Sequence, residues 1–386
     1  MDTLLMRNRP RLLGISLLIG SLLALYTAHN LWENRYNKWE FEASPDALVC
    51  QDGTLLTDRS GSLFALDGIT GHSRWTYRFP TRQEYPSNGA PFAASGDNNV
   101  YLMSEVDRKP YKLYALDLVT GKERWSTQEE AAIPVNGENH LIFLGNRRLV
   151  ALDSRTGHRQ WAFEPPMPAG SPIPDPDLDN DGHIRAVASA NGTVWVAFGR
   201  PLQRLFALDA ATGIPQWSAP LTQEESRYIP PTLLVTGNNL VVLGENGGNI
   251  SAFDGDTGQI VWKFEMEGNG GSPWLCQESG VLYATTGFGT VYALVSATGT
   301  VKWKQNLDAQ VSAQPVLDRR GTLYLGTRHN TLLALSTQTG ECVWRHYFGW
   351  SMTSIPDGDY ITPAIGPKGM VYAASTDHYL YALQRP

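Results

Sequence analysis

Three aspartates at alternate positions, Asp177, Asp179 and Asp181, followed by Gly182, make the run of side chains best suited to hold a cation. Alternate carboxylates place oxygen ligands on one side of a tight loop, and Gly allows the bend that brings them together, a donor set that suits Ca²⁺. A twelve-position loop of this kind closes on Glu, where this chain has Ala188, and a nine-position variant closes on an acid, where it has Arg185. Asp175 precedes the loop, and Pro165, Pro166, Pro168, Pro172, Pro174 and Pro176 lead into it. Two readings stay open: a weak structural Ca²⁺ site, or an acidic surface loop stiffened by proline.

Other chemistry is sparser. The chain has no His-Glu-x-x-His, Cys-x-x-Cys or Gly-x-Ser-x-Gly run. Gly287-Phe288-Gly289 sits between strand-like segments with no helix after it, so it lacks the context of a phosphate cradle. The eight histidines are scattered singly, and His72 and His158 follow turn glycines, where solvated side chains are expected. Cys50, Cys276 and Cys342 are odd in number and unpaired in spacing, so they read as buried free thiols rather than a disulfide framework. No residue is nominated as catalytic.

What must position any such residues is a repeat. Seven times a short apolar strand leads through a Thr-Gly turn to a Trp four residues after the Gly. The turn glycines are Gly71, Gly121, Gly157, Gly213, Gly258, Gly299 and Gly340, and the tryptophans are Trp75, Trp125, Trp161, Trp217, Trp262, Trp303 and Trp344. An eighth strand, Leu380 to Leu383, ends the chain without turn or Trp, and the missing piece is Trp39 within Lys38-Trp39-Glu40-Phe41. A period of about 40–45 residues with four short strands per unit is that of a β-propeller blade. The expected fold is all-β: eight four-stranded antiparallel blades, closed by pairing the N-terminal strand with the C-terminal blade. The Asp-x-x-Thr-Gly phrase is a hairpin turn that needs a left-handed residue at Gly and uses Asp and Thr as caps. Val295 and Ser336 replace the Asp in two repeats while Thr-Gly remains. The tryptophans read as packing residues, each worth roughly 2–3 kcal/mol on burial.

The chain has 386 residues and a net charge of −7 without long runs of one sign, so no nucleic-acid stripe is expected. Thirty-seven Gly and 24 Pro serve tight turns here, because aromatic and β-branched residues remain plentiful. The first residues differ in kind. Arg7, Arg9 and Arg11 precede an uncharged stretch from Leu12 to Ala28. This predicts residues 1–35 as a short cytoplasmic tip, a membrane signal-anchor over about 12–28 and a linker, with the propeller, 36–386, across the membrane. Cleavage after Ala28 would put Tyr26 where a small residue is wanted, and no Cys follows the apolar run to carry lipid. An uncleaved anchor is favoured over a cleaved signal that would release the propeller to a periplasmic or outer space.

The phrase Ala115-Leu116-Asp117-Leu118-Val119-Thr120-Gly121-Lys122-Glu123-Arg124-Trp125 resembles the tryptophan-docking repeat of the pyrroloquinoline-quinone-like propellers, and the resemblance runs over nearly everything after residue 37. It implies one of two branches. Quinoprotein alcohol dehydrogenases clamp their cofactor with vicinal cysteines and hold Ca²⁺ through Glu, Asn and Asp, whereas this chain has no Cys-Cys pair and near-minimal blades. The BamB-like branch is non-enzymatic and scaffolds outer-membrane-protein assembly. The resemblance therefore implies a scaffold with envelope proteins or peptide segments as partners and no quinone cofactor; with the anchor read from residues 12–28, the expectation is a monomeric propeller tethered to a membrane. A small quinone-dependent oxidoreductase and a ligand-sensing ectodomain are the alternatives. For the acidic loop, calorimetric titration with Ca²⁺ should give a saturable heat that Asp179→Asn removes; silence at millimolar Ca²⁺ assigns the loop to surface stiffening.

Overall fold

The computed structural model describes residues 37–384 apart from 43–47, 60, 79–91, 96, 107–108, 129–134, 139, 146, 167–183, 200–201, 222–231, 268–272, 349–360 and 376–377. Asp177, Asp179, Asp181 and the stretch 12–28 thus lie outside the described residues. Among those described, no helix is long and apolar enough to cross a membrane.

Eight four-stranded sheets, each paired antiparallel throughout, form the blades of a propeller. Blade 1 is a simple meander of Leu48–Gln51, Thr54–Arg59, Ser62–Asp67 and Ser73–Arg78, and blades 2 to 7 repeat it in chain order. Blade 8 is composite: Ile361–Ile365, Met370–Ser375 and Tyr379–Gln384 take Asn37–Glu42 as their outermost strand. The register runs from Asn37 opposite Leu383 to Glu42 opposite Tyr379, so the ring closes by strand pairing between the two ends of the chain.

The core lies between blades. Leu56, Leu63 and Ala65 of blade 1 pack on Val100, Leu102 and Leu116 of blade 2, and equivalent clusters fill each successive interface. The last cluster joins Leu55 and Leu66 to Tyr372, Leu380 and Ala382 across the seam. Every repeat Trp faces an alanine on the neighbouring strand of its own blade, as in Ala115 opposite Trp125 and Ala382 opposite Trp39. In the seven Thr-Gly blades a register shift after that alanine turns the start of the outer strand.

The indole then reaches forward into the next blade. Trp75 lies flat on Gly121, whose Cβ, if it had one, would stand 2.6 Å from Trp75 Cδ2. Gly121 has φ +69°, a conformation that other residues adopt only with strain. The Trp75 indole N–H donates to Leu118 O at 2.9 Å, in the same turn. This pairing recurs with Trp39 on Gly71, Trp125 on Gly157, Trp161 on Gly213, Trp217 on Gly258, Trp262 on Gly299 and Trp303 on Gly340. Trp344 has no following Thr-Gly turn; it stacks on His346 with ring centroids 5.8 Å apart.

His346 is buried between Trp344 and Phe348, and burial pushes its pKa down to about 4. The unfolded chain takes up a proton near about pH 6.5 while the folded imidazole stays neutral. Stability contributed this way is therefore present above that pH and drains away as pH falls toward 4. Denaturant midpoints measured across this window should fall, and His346→Phe should flatten the slope. Deleting residues 36–42 should lower the melting temperature despite their terminal position; an unchanged value would sink the closure. Gly121→Ala should cost at least about 1–2 kcal/mol, before any displacement of Trp75 is counted, as read by chemical denaturation.

Candidate functional site

The turns engage five aspartates, Asp67, Asp117, Asp153, Asp209 and Asp254. Asp117 Oδ1 accepts from the Thr120 N–H at 2.7 Å and from the Thr120 hydroxyl at 2.9 Å, and Arg124 pairs with its other oxygen. Burial pulls the Asp117 pKa upward, but the Arg124 and Thr120 bonds outweigh it and bring it down to about 2. Arg74, followed by the Thr70 amide, holds Asp67 well below the usual carboxylate range. Hydrogen bonds from Thr212 and Thr257 lower the pKa values of Asp209 and Asp254. Where Asp is replaced, the turn survives through its backbone: Gly299 N–H donates to Val295 O and Gly340 N–H to Ser336 O, both at 2.8 Å. These groups stay charged and occupied, which suits a fastener rather than a base or nucleophile.

A Ser, a His and an Asp do meet between blades 2 and 3. Asp97 contacts His140 Nδ1 at 2.8 Å through one oxygen and accepts from the Ser154 hydroxyl through the other. Nucleophilic catalysis needs the imidazole between serine and carboxylate. Here the carboxylate is the centre, and the Ser154 bond, with His140 in support, lowers its pKa further. The trio latches neighbouring blades. Glu138 continues it by accepting from the Gly192 N–H of blade 4 at 2.8 Å.

Cys50, Cys276 and Cys342 are free thiols in blades 1, 6 and 7. Cys342 departs from the expected burial: it opens an outermost strand and is exposed. Burial, with Asp52 adding to it, pushes the Cys50 pKa up to about 11, and burial raises Cys276 to about 12, so neither is a ready nucleophile. His72 and His158 are exposed on their turns. Among the described residues no three His, Cys, Asp or Glu side chains are grouped to hold a metal ion.

What remains is the rim. Each blade's outermost strand has one hydrogen-bonding edge left open within its sheet. Such edges invite another strand unless charge or proline blunts them. Blades 1 to 4 are blunted: Arg74 and Arg124 reach back to Asp67 and Asp117, blade 3 opens on Arg159, and blade 4 carries Pro215 and Pro220. Blades 5 to 7 also carry charge, at Lys263, Lys302, Lys304 and Arg345, but exposed apolar side chains stand beside it. Ile260, Val261, Val301 and Val343 stand beside their tryptophans with 43–50 % of their surface exposed. Directly after each Trp comes an exposed cation, Lys263, Lys304 or Arg345, where blades 1 to 4 have Thr76, Ser126, Ala162 and Ser218. Lys304 is partly engaged by Glu267 and by the Tyr292 ring, 5.6 Å from its centroid. Three adjacent blades therefore present outer strands that combine exposed apolar and basic side chains. Sequence reading passed over them, because Val and Ile beside a strand Trp look like ordinary β-residues.

Comparison with known proteins gives three findings. The sequence profile of the family described as outer membrane protein assembly factor BamB matches residues 82–247 and 246–385. The dehydrogenase subunit of a quinone alcohol dehydrogenase from Gluconobacter oxydans is 32 % identical over 149 residues, and the protein kinase AfsK from Streptomyces griseus is 27 % identical over 204 residues. Those matches cover 36 % and 50 % of this chain but 19 % and 23 % of the relatives, so the chain spans about a fifth of the curated proteins it matches. Among solved structures, BamB from Moraxella catarrhalis superposes with a TM-score of 0.66 at 18 % identity, covering 90 % of this chain and 99 % of that one. The quinohemoprotein alcohol dehydrogenase of Comamonas testosteroni gives 0.64 at 14 % identity over 91 % of this chain and 77 % of that one. At these identities the structures share a fold.

Proposed function

The chain belongs to the family described as outer membrane protein assembly factor BamB, and on that premise we propose that it is a non-enzymatic propeller scaffold that docks extended segments of envelope proteins on the rim of blades 5 to 7. In this reading residues 12–28 anchor it in a membrane and the ring works on the extracytoplasmic side. The observation that carries the docking site is the contrast between the blunted outer edges of blades 1 to 4 and the apolar, basic edges of blades 5 to 7.

An extended partner adds a strand to such an edge. Its backbone N–H and C=O groups pair with those left open, and its alternate side chains give selectivity. Val261, Val301 and Val343 favour apolar side chains on that strand, and Lys263 and Arg345 favour acidic ones. The preferred partner is thus an extended segment that carries an apolar and an acidic residue two positions apart, on one face of the added strand.

A labelled extended peptide repeating Val-Thr-Glu-Thr should bind the ring, and Lys263→Glu combined with Arg345→Glu should weaken it by about tenfold, or 1.4 kcal/mol. Gln160→Glu on blade 3 is the control and should leave binding unchanged. Equal loss in both variants, or no binding to either, removes the rim from consideration. Quinone-dependent oxidation is the second reading, favoured by the names of the sequence relatives. It requires dye-linked turnover of an alcohol after addition of the quinone and Ca²⁺, which the scaffold reading expects to be nil.

A further inference from the structure

The first described strand leaves the ring at a defined edge. Asn37 pairs with Leu383 near the end of the last strand, and two residues later Trp39 donates its indole N–H to Ile69 O at 3.1 Å, in the turn of blade 1. Chain preceding Asn37 therefore departs from the edge of the ring that carries the Thr-Gly turns. The opposite edge carries the turns between second and third strands, such as the one bearing Phe288.

Length now decides the orientation. Eight residues, 29–36, separate the uncharged stretch from Asn37. Fully extended they reach at most about 28 Å. A six-residue strand stands about 20 Å tall, so turning the opposite edge toward the anchor would use nearly the whole tether just to descend the wall of the ring. The Thr-Gly edge needs none of it.

That edge is also dressed for contact. Ile69 and Val119 occupy the same turn position in adjacent blades, and Ile214 follows the turn glycine of blade 4; their exposures lie between 46 and 67 %. In blades 1 to 4 the turn aspartates that would oppose an anionic surface are bonded within their own turns, whereas Asp256 and Glu341 stand exposed in the turns of blades 5 and 7, so the contact falls on the side of blades 1 to 4. Asp67, Asp117, Asp153 and Asp209 each accept from the N–H and hydroxyl of their own turn Thr. Lys122 and Arg155 stand exposed beside them, and Arg155 also touches Asp153.

We propose that the Thr-Gly edge of the ring rests on the lipid surface, with Ile69, Val119 and Ile214 at the headgroup boundary and the opposite edge turned away. This rests on the reading of residues 12–28 as a membrane anchor. It leaves the rim of blades 5 to 7 upright above the membrane, accessible from the side.

The test uses the full chain reconstituted in phosphatidylcholine–phosphatidylglycerol vesicles, with a photoactivatable benzophenone amino acid placed at Val119, at Ile214 or, as control, at Phe288, which is 61 % exposed on the opposite edge. Vesicle flotation after an alkaline wash reports anchoring separately. Lipid adducts counted by mass spectrometry should be severalfold more abundant at Val119 and Ile214 than at Phe288. Equal adducts at all three positions in protein that floats, or an excess at Phe288, overturn the orientation while leaving the anchor intact. Failure to float overturns the anchor itself, and the orientation with it.

Discussion

Everything in this ring depends on one contact, an indole laid flat on the glycine of the following blade. The contact combines three demands that reinforce one another. The glycine must adopt a left-handed conformation to close its turn, it must lack a Cβ to admit the ring, and a turn carbonyl must face the indole N–H. At Gly71 all three are met by Trp39, with the nearest ring atom 2.6 Å from where a Cβ would be. No residue other than glycine serves both the turn and the ring. Because each indole reaches only its neighbour, stability accumulates from nearest-neighbour terms, as in other repeat architectures.

The seam shows what happens when the pattern must join its own end. Six of the seven indole bonds go to the carbonyl two residues before the turn Thr, as with Leu118 and Ser154. At blade 1 the bond shifts by one, to Ile69, and the displaced carbonyl of Gly68 is taken by the Tyr372 hydroxyl at 2.6 Å. Tyr372 also packs on Trp39, with centroids 5.8 Å apart. A tyrosine from the C-terminal blade and a tryptophan from the N-terminal strand thus share one turn. Trp344, lacking a turn ahead of it, instead stacks with His346, which is why a buried histidine occurs beside the closure.

Function occupies what the fastening leaves over. Aspartates, a serine and a histidine that would attract attention in an enzyme are engaged in turns and latches, with carboxylates held charged by the bonds they accept. The surfaces not so engaged are strand edges and turn tips. On the rim, arginine, proline and polar side chains line the outer strands of blades 1 to 4, while those of blades 5 to 7 show exposed valine and isoleucine beside a cation. On the turn edge of blades 1, 2 and 4, aspartates bonded within their turns leave Ile69, Val119 and Ile214 outward. A single repeat thus yields different faces through substitutions that leave the turn and the indole untouched.

The sequence by itself determined the architecture. Spacing of Thr-Gly and Trp gave the blade, and the stranded Trp39 gave the closure, because turn geometry and large apolar surfaces impose their demands locally and leave a period that can be counted. It did not determine which Trp meets which Gly. Gly121 and Trp125 are four residues apart and read as one unit, yet Gly121 lies under Trp75 and Trp125 covers Gly157. Strand geometry is the reason: side chains alternate between the two faces of a sheet, and a twisted blade aims its outer-strand indole at the sheet beside it. Nor did it reveal the rim, since Val261-Trp262-Lys263 has the same strand pattern whether its edge is covered or open. Only the assembled ring decides which residues of a repeated phrase are spent on neighbours and which face outward.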